Sequence, residues 1–216
     1  MERLNPVSES TLPVVETFHS LQGEGIHGGR SAFFIRLGGC SVGCSWCDTK
    51  QSWPRDVHPK LAIEALRHEA EHAAAAGAAF VVITGGEPLE HNLAPLCKTL
   101  QLIGVPLHLE TSGVGDLSGT FHWITLSPKP HRPPSRGALA TCHELKVVVH
   151  AASDLSFAEA MAAAAIKERS ADQPAPQLLL QPGWESPEGQ QLAIDYVRSH
   201  PQWRLSLQSH KWLGVR

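Results

Sequence analysis

The stretch SAFFIRLGGCSVGCSWCDT, residues 31–49, joins a β-strand pattern directly to a loop that carries three cysteines. SAFFIRLG (31–38) is rich in strand-forming residues and ends at a pair of glycines, which is typical of a buried strand followed by a turn. Cys40, Cys44 and Cys47 follow with the spacing C-x3-C-x2-C. Because sites in parallel α/β proteins lie at the carboxyl ends of the strands, we expect these thiols to line such a site.

Three thiols on one loop favour an iron–sulfur cluster over the other sites that cysteines form. A structural zinc site usually has four ligands in paired clusters, and a disulfide framework usually has an even number of cysteines in a short secreted chain. Three thiolates can instead bind three irons of a four-iron cluster and leave the fourth iron open to an outside ligand. A zinc site completed by a distant histidine, or a loop that binds no metal, remains an alternative.

Length and composition fit one globular domain. The chain has 216 residues, a formal net charge of −3 and five cysteines, so no broad basic field predicts nucleic-acid binding. No apolar run reaches the ~18 residues of a membrane span, and the start, MERLNPVSES, lacks the apolar core of a secretory signal. Cysteines without an export signal predict a cytoplasmic protein whose thiols serve metals or catalysis.

Apolar segments of strand length alternate with segments of helical period. Strand patterns occur, besides 31–38, at AFVVIT (79–84), PLHLE (106–110), FHWITL (121–126), HELKVVV (143–149), QLLLQ (177–181) and WRLSLQ (203–208). Helical patterns occur at 58–77, 89–104, 153–169 and 187–200. The alternation predicts βα units around a parallel sheet. It leaves open whether six or so strands form a doubly wound sheet or an incomplete barrel. We interpret the proline-rich segment 127–137 as a long loop at a strand end.

A second motif, TGGEPL (84–89), ends the strand AFVVIT. With the cysteine loop upstream, the sequence resembles the radical S-adenosylmethionine superfamily, in which this cofactor chelates the open iron of a [4Fe–4S] cluster and is cleaved to a 5′-deoxyadenosyl radical. In the GGEP turn, glycines permit close backbone approach, and the Glu87 carboxylate or adjoining carbonyls would hold the methionine ammonium. The resemblance implies cofactor contacts from Trp46, Thr84, Gly85, Gly86, Glu87, Ser127, Lys129 and Gln181.

Segments along most of the chain resemble one family within this superfamily, the 7-carboxy-7-deazaguanine synthases. They are ETFHSLQGEGIHGGRSAFFIRLGGC, CDT, TGGEPL, LETSG, SPK, HELKVV, LLQP and HPQWRLSLQSHKWL. These lyases convert 6-carboxy-5,6,7,8-tetrahydropterin to 7-carboxy-7-deazaguanine with loss of ammonia, a step toward queuosine and related deazapurines. The resemblance implies an abbreviated, open (β/α) partial barrel and a homodimer. It also implies a single core domain over 1–216 whose C-terminal tail closes the active site.

The family's substrate has a carboxylate at one end and a guanidine-like edge at the other. Arg36, on the strand that enters the cysteine loop, is suited to a bidentate pair with the carboxylate; the alternative is a surface charge at a strand end. The carboxylates of Glu24 and Glu110 match paired N–H donors. The resemblance implies substrate contacts from Leu21, Gln22, Gly23, Glu24, Arg36, Glu110, Ser112, His210 and the terminal carboxylate of Arg216.

The remaining residues of interest lie beside the cluster loop or far from it. Magnesium prefers oxygen ligands and keeps most of its waters, and the resemblance implies that Thr49 binds Mg²⁺ together with a substrate carboxylate. We interpret Asp48 as orienting the loop. Cys97 and Cys142 lack C-x-x-C spacing, so we interpret them as core residues and expect one cluster only.

Two other functions remain open at this level. One is a radical activase that abstracts hydrogen from a glycine of a partner protein, and the other is a non-catalytic iron–sulfur or zinc protein. The first would need an exposed docking groove, and the second would leave GGEP unexplained. The radical chemistry also requires an electron donor, such as a flavodoxin or a ferredoxin.

Overall fold

The computed structural model describes residues 10–216 and shows a nine-stranded sheet in an α/β arrangement. The strands are β1 Thr11–Leu21, β2 Ser31–Leu37, β3 Lys60–Ala62, β4 Val81–Gly85, β5 Leu107–Thr111, β6 Trp123–Leu126, β7 Glu144–Val149, β8 Gln177–Pro182 and β9 Trp203–Leu205. Their order in the sheet is β3-β1-β2-β4-β5-β6-β7-β8-β9, and within the described residues the sheet does not close. The expected open α/β sheet is confirmed. The start of the chain, in which we found no secretory signal, lies outside the described residues except for Ser10.

Seven strands, from β2 through β9 in the sheet order, are parallel, and β1 and β3 are added to one edge in antiparallel fashion. The helices are α1 Ile63–Ala75, α2 Ala94–Leu100, α3 Arg136–Thr141, α4 Ala152–Glu168, α5 Pro187–Ser199 and α6 Ser209–Leu213. Parallel strands place their carboxyl ends at one edge of the sheet. The cysteine loop, the GGEP turn and the end of β5 therefore meet there.

The two faces of the sheet have different partners, because successive side chains of a strand point in opposite directions. In β2, Phe33 and Ile35 belong to the main hydrophobic core, which also includes buried residues of α1, α4 and α5. Phe34 lies on the opposite face and packs with Phe80 in a smaller cluster. Arg36 shares that face, which forms the wall of a cavity.

The chain forms more elements than the sequence predicts. β1 was not expected, because its polar residues and an irregular register between Val14 and Glu16 hide the alternation of a strand. The predicted helix 58–77 begins only at Ile63, since β3 pairs with β1 before it. The predicted helix 89–104 is shortened to α2, with Pro95 in its first turn, where a missing N–H is tolerated.

Two further differences concern loops. The proline-rich segment 127–137 does follow a strand end, as expected, but α3 begins inside it at Arg136. Ser135 caps α3, because its hydroxyl accepts a hydrogen bond from the backbone N–H of Ala138 at 3.2 Å. At the end of the described chain, α6 is a short helix that follows the last strand.

Candidate active site

All the residues that the sequence predicts as site residues line one cavity of about 660 Å³ at the carboxyl ends of the parallel strands. Cys40, Cys44, Cys47 and Thr49 are among its lining residues. So are Trp46, Thr84, Gly85, Gly86, Glu87, Ser127, Lys129 and Gln181. The same cavity is lined by Leu21, Gln22, Gly23, Glu24, Arg36, Glu110, Ser112, His210 and Arg216. The fold thus brings the residues together, while their contacts with a cofactor or a substrate stay predictions.

The cysteine loop is fixed by hydrogen bonds to the turn that follows it. Cys40 N–H donates to the carbonyl of Trp53 at 3.0 Å, and the indole Nε1 of Trp53 donates to Cys47 Sγ at 3.4 Å. Among residues 10–216, no three His, Cys, Asp or Glu side chains converge as the ligands of a single metal ion would. The thiolates of a four-iron cluster bind separate irons and need not converge on one point, so three thiols around one cavity fit such a cluster.

The proline-rich segment holds the outer side of the cysteine loop. His131 Nε2 lies 3.1 Å from the carbonyl of Val42, and Arg132 donates to the carbonyl of Ser41 at 3.0 Å. The ring of Trp46 meets His131 edge to face, with the centroids 5.7 Å apart. The proline-rich segment therefore helps to hold the shape of the cysteine loop.

The GGEP turn packs backbone to backbone against the cysteine loop. Gly86 N–H donates to the carbonyl of Leu37 at 2.9 Å, and Glu87 N–H donates to that of Gly39 at 2.8 Å. A Cβ on Gly86 would lie 2.2 Å from the carbonyl oxygen of Gly39. The glycine is thus needed for contact with the cluster loop, in addition to the cofactor approach that the sequence suggests.

The carboxylate of Glu87 is used inside the protein. It accepts hydrogen bonds from Leu89 N–H at 3.0 Å, Ser112 N–H at 2.8 Å and Thr111 Oγ1 at 2.5 Å, and also from the hydroxyl of Ser112. The side chain is 1% exposed, and burial raises its pKa although these hydrogen bonds oppose the rise. Both oxygens of the carboxylate are thus engaged within the protein, and which group of the turn would hold a methionine ammonium stays a prediction.

A cluster of charges around the buried Lys146 forms the part of the cavity where the substrate edge is expected. Lys146 Nζ lies 2.5 Å from Glu24 Oε2 and 3.3 Å from Glu110 Oε2. The second oxygen of Glu24 accepts from Gln208 at 2.8 Å, and that of Glu110 accepts from Gln22 at 3.2 Å. Sequence analysis missed Lys146, although a lone lysine in the apolar strand HELKVVV is a usable signal.

The two carboxyls of this cluster differ in their pKa. Burial would raise the pKa of Glu24, but the charge of Lys146 and hydrogen bonds from Lys146 and Gln208 lower it to about 2. Burial raises the pKa of Glu110 to about 7; Lys146 opposes the rise, and the charges of Glu144 and Glu24 add to it. Glu24 is therefore ionised near neutral pH, whereas Glu110 titrates there.

Arg36 is held by a neighbour on β1. Its Nε donates to Glu16 Oε1 at 2.9 Å, and its guanidinium carbon lies 5.7 Å from the centre of the Phe18 ring. Arg216 pairs with the other oxygen of Glu16, and its main-chain oxygen accepts from Ser20 Oγ at 2.5 Å. In the described part of the chain, the terminal nitrogens of Arg36 make no hydrogen bond, so the geometry leaves them for the predicted carboxylate.

The C-terminal tail lies across the cavity. Ser209 N–H donates to the carbonyl of Gly23 at 2.9 Å, and the ring of His210 covers Gly23 so closely that a Cβ there would lie 2.1 Å from Nδ1. Lys211 Nζ forms an ion pair with Asp48 at 2.8 Å. Asp48 thus links the cysteine loop to the tail, which agrees with the loop-orienting role expected for it.

The other predicted site residues have modest contacts of their own. Thr49 Oγ1 lies 3.7 Å from Cys47 Sγ. Lys129 Nζ donates to Ser127 Oγ at 2.8 Å, and burial lowers the pKa of this lysine. Gln181 Oε1 accepts from Ser206 Oγ at 2.8 Å. Both of the remaining thiols, at positions 97 and 142, are buried in the main core, as their interpretation as core residues requires.

Comparisons with known proteins decide between the open alternatives. The model of the radical SAM superfamily matches residues 34–117. A 7-carboxy-7-deazaguanine synthase of Prochlorococcus marinus is 57% identical over 220 residues, covering 94% of this chain and 98% of that protein. The synthase of Escherichia coli is 33% identical over 229 residues, with 94% and 98% coverage. The chain belongs to the 7-carboxy-7-deazaguanine synthase family.

A solved structure supports the family assignment at the level of the fold. The crystal structure of QueE from Escherichia coli superposes with a TM-score of 0.80 at 32% identity, and the match covers 93% of this chain and 95% of that one. The superfamily uses a [4Fe–4S] cluster and S-adenosylmethionine, so the prediction of both cofactors is confirmed. In the described residues, no helix combines the length and apolar character needed to cross a membrane.

Proposed function

We propose that the chain is a radical S-adenosylmethionine lyase that converts 6-carboxy-5,6,7,8-tetrahydropterin to 7-carboxy-7-deazaguanine with loss of ammonia. The observation that carries the proposal is one cavity with three cysteine thiols, a half-buried carboxylate pair and an arginine at its wall. Relatives that cover almost the whole chain bear the name of this synthase. An activase or a non-catalytic metal protein would not require this charged pocket.

The chain's own residues supply binding and orientation. When bound, the cluster and S-adenosylmethionine would supply the radical that abstracts one hydrogen atom from the substrate. We propose that this is the hydrogen on carbon six. Arg36 pairs with the adjacent carboxylate, while Gln22, Glu24 and Glu110 accept from the N–H groups of the far edge. The tail at His210 excludes water from the cavity. These contacts select one hydrogen for a radical that is otherwise indiscriminate.

We also propose roles around this site that rest on the family resemblance. Thr49 Oγ1 would supply an oxygen ligand to Mg²⁺, which would help to hold the substrate carboxylate. Residues 1–216 form one core domain, with the tail as its closing element. The protein is a cytoplasmic homodimer that takes electrons from a flavodoxin or a ferredoxin, and sedimentation analysis tests the dimer.

The reaction is tested with anaerobically reconstituted enzyme, reductant, S-adenosylmethionine and substrate carrying deuterium on carbon six. We expect 7-carboxy-7-deazaguanine, ammonia, and deuterium in 5′-deoxyadenosine or recovered S-adenosylmethionine. Cys44→Ala should lose both iron and product, whereas the matched change Cys97→Ala, at a core thiol, should keep both. Deoxyadenosine without the deazaguanine would favour an activase. Product without transferred label would disprove abstraction from carbon six.

A further inference from the structure

A lysine is buried in the middle of an apolar strand, where an unpaired ammonium is costly. Lys146 is 3% exposed and lies on the cavity side of β7, while Leu145 and Val147 point into the main core. Removing a charge from water is unfavourable unless hydrogen-bonded partners compensate. An apolar residue would fill this position at lower cost, so the ammonium points to a function in the cavity.

The ammonium fixes two carboxylates at once. It contacts one oxygen of Glu24 at 2.5 Å and one of Glu110 at 3.3 Å, and glutamine amides bind the other oxygen of each. Each carboxylate is thus held at both ends and cannot rotate freely. A carboxylate oxygen can accept more than one hydrogen bond, so both groups still have acceptor capacity for a ligand.

Other charged groups face the same cluster. Glu144 lies below it, accepting from Ile26 N–H at 3.1 Å and from the indole of Trp123 at 3.3 Å. Lys129 and His210 also act electrostatically on the cluster. With both carboxylates ionised, the directly bonded group of Glu24, Glu110 and Lys146 carries one net negative charge. That charge suits a ligand edge with several N–H donors and no carboxylate.

We propose, as an extension of the proposed function, that Lys146 is a positioning and specificity residue for the 2-amino-4-oxo edge of the pterin. Its ammonium bridges Glu24 and Glu110, favours the ionised form of each carboxyl and holds both toward adjacent N–H donors. A ligand with a carbonyl oxygen in place of the 2-amino group would bring a hydrogen-bond acceptor against the fixed carboxylate oxygens, which are also acceptors. Such a ligand is therefore rejected. Sites built around such buried hydrogen bonds discriminate strongly, because the mismatch leaves polar groups unpaired.

Substitution of the lysine separates this role from a purely structural one. Lys146→Met removes the positive charge that favours the ionised form of Glu110. The pKa of Glu110, about 7 in the wild type, should therefore rise. The acid limb of the pH profile of kcat/KM should therefore move to higher pH. Near pH 7, KM should increase by about tenfold or more with a smaller fall in kcat, and it should recover as the pH approaches about 9.

Two further variants control for folding and charge. Lys146→Arg retains a cation and should keep the acid limb close to its wild-type position. If residue 146 served packing alone, its charge would not determine where the acid limb lies. Lys98→Met, at an exposed position on α2, is the matched control and should leave KM and the profile unchanged. Iron content and thermal unfolding of each variant show that the fold is retained. If Lys146→Met does not fold, the comparison is made with Lys146→Arg and Lys146→Gln.

The 2-oxo analogue of the substrate tests the specificity directly. We expect the wild type to bind it at least about a hundredfold more weakly than the substrate, and Lys146→Met to lose most of that preference. An unchanged acid limb, or unchanged KM and preference, in folded Lys146→Met or Lys146→Gln overturns the inference and leaves the proposed function intact. Failure of the wild type to form the deazaguanine product contradicts the proposed function itself.

Discussion

At the scale of single residues, Arg36 shows how a neighbour can prepare a binding group. Arg36 donates a hydrogen bond from its Nε to Glu16. The two terminal nitrogens of the guanidinium do not take part in that bond. We expect Arg36→Lys to raise the KM for substrate by about tenfold or more, because lysine keeps the charge but cannot form the planar two-bond pair. Steady-state kinetics measure the change. Iron content should stay at the wild-type level, and an unchanged KM would move the carboxylate site elsewhere.

Thr49 is the second test at this scale. If its hydroxyl binds Mg²⁺, Thr49→Ala should reduce the stimulation of turnover by magnesium while leaving cluster assembly unaffected. A magnesium titration of turnover, together with iron analysis, measures the two effects separately. Thr49→Ser retains the hydroxyl and should retain the stimulation. Equal magnesium dependence in the alanine variant and the wild type would show that Thr49 does not bind Mg²⁺.

At the scale of elements, the contact between the GGEP turn and the cysteine loop is the critical one. Gly86→Ala should lower stability by about 1–3 kcal/mol and reduce iron loading, because the new Cβ would overlap the carbonyl of Gly39. Gly137→Ala is the matched control, since a Cβ there meets nothing within 4 Å. In a helix this second change should be neutral or stabilising. Chemical denaturation and iron analysis compare the two, and equal effects would contradict the argument.

A second prediction at this scale concerns the imidazoles below the cavity. The ring of His108 stacks on Phe80 at 4.1 Å, and burial, with the charges of His27 and Arg30, lowers the pKa of His108 to about 3. In the unfolded chain the same imidazole binds a proton near pH 6.5. The contribution of His108 to the free energy of unfolding is therefore fully present above that pH and is lost as the pH falls toward 3.

Denaturation measured at about pH 7.5 and about pH 5.5 should show a fall in the free energy of unfolding, of which His108 contributes about 1 kcal/mol. His108→Phe should reduce the fall, because phenylalanine stacks without taking up a proton. His68→Phe, at an exposed position on α1, should leave it in place. An equal fall in wild type and His108→Phe would show that this imidazole does not cause the acid sensitivity.

The elements differ in how far the sequence could predict them. AFVVIT and HELKVVV are rich in apolar and β-branched residues and form buried parallel strands, and both appear as expected. β1 has one irregular, partly exposed face, and β3 is only three residues long and depends on β1. Spacing and family resemblance together predicted which residues meet at the cavity. They could not reveal that the Glu87 carboxylate accepts hydrogen bonds from Ser112 and Thr111, because that contact joins the turn after β4 to the end of β5, which are separate in the sequence.

At the scale of the whole molecule, the tail connects the two sides of the open sheet. It leaves the last strand, β9, and reaches back to the first strand, where Arg216 contacts Ser20 and Glu16. Between these points Lys211 contacts Asp48 of the cysteine loop. The cavity is therefore bordered by the second half of β1 and by the C-terminal tail, and its closure depends on a few polar contacts rather than on a packed core.

These polar contacts are partly open to solvent: the side chains of Arg216 and Asp48 are 70% and 55% exposed. Dissolved salt screens such pairs, with a Debye length of about 10 Å at about 0.1 M. Raising KCl from about 0.05 to about 0.5 M should therefore increase the KM for substrate, and Lys211→Met, which already lacks one pair, should respond less. Equal responses of the wild type and Lys211→Met would show that the Lys211–Asp48 pair does not cause the salt dependence of KM. The ionic strength around the protein thus becomes part of the mechanism that retains a bound molecule.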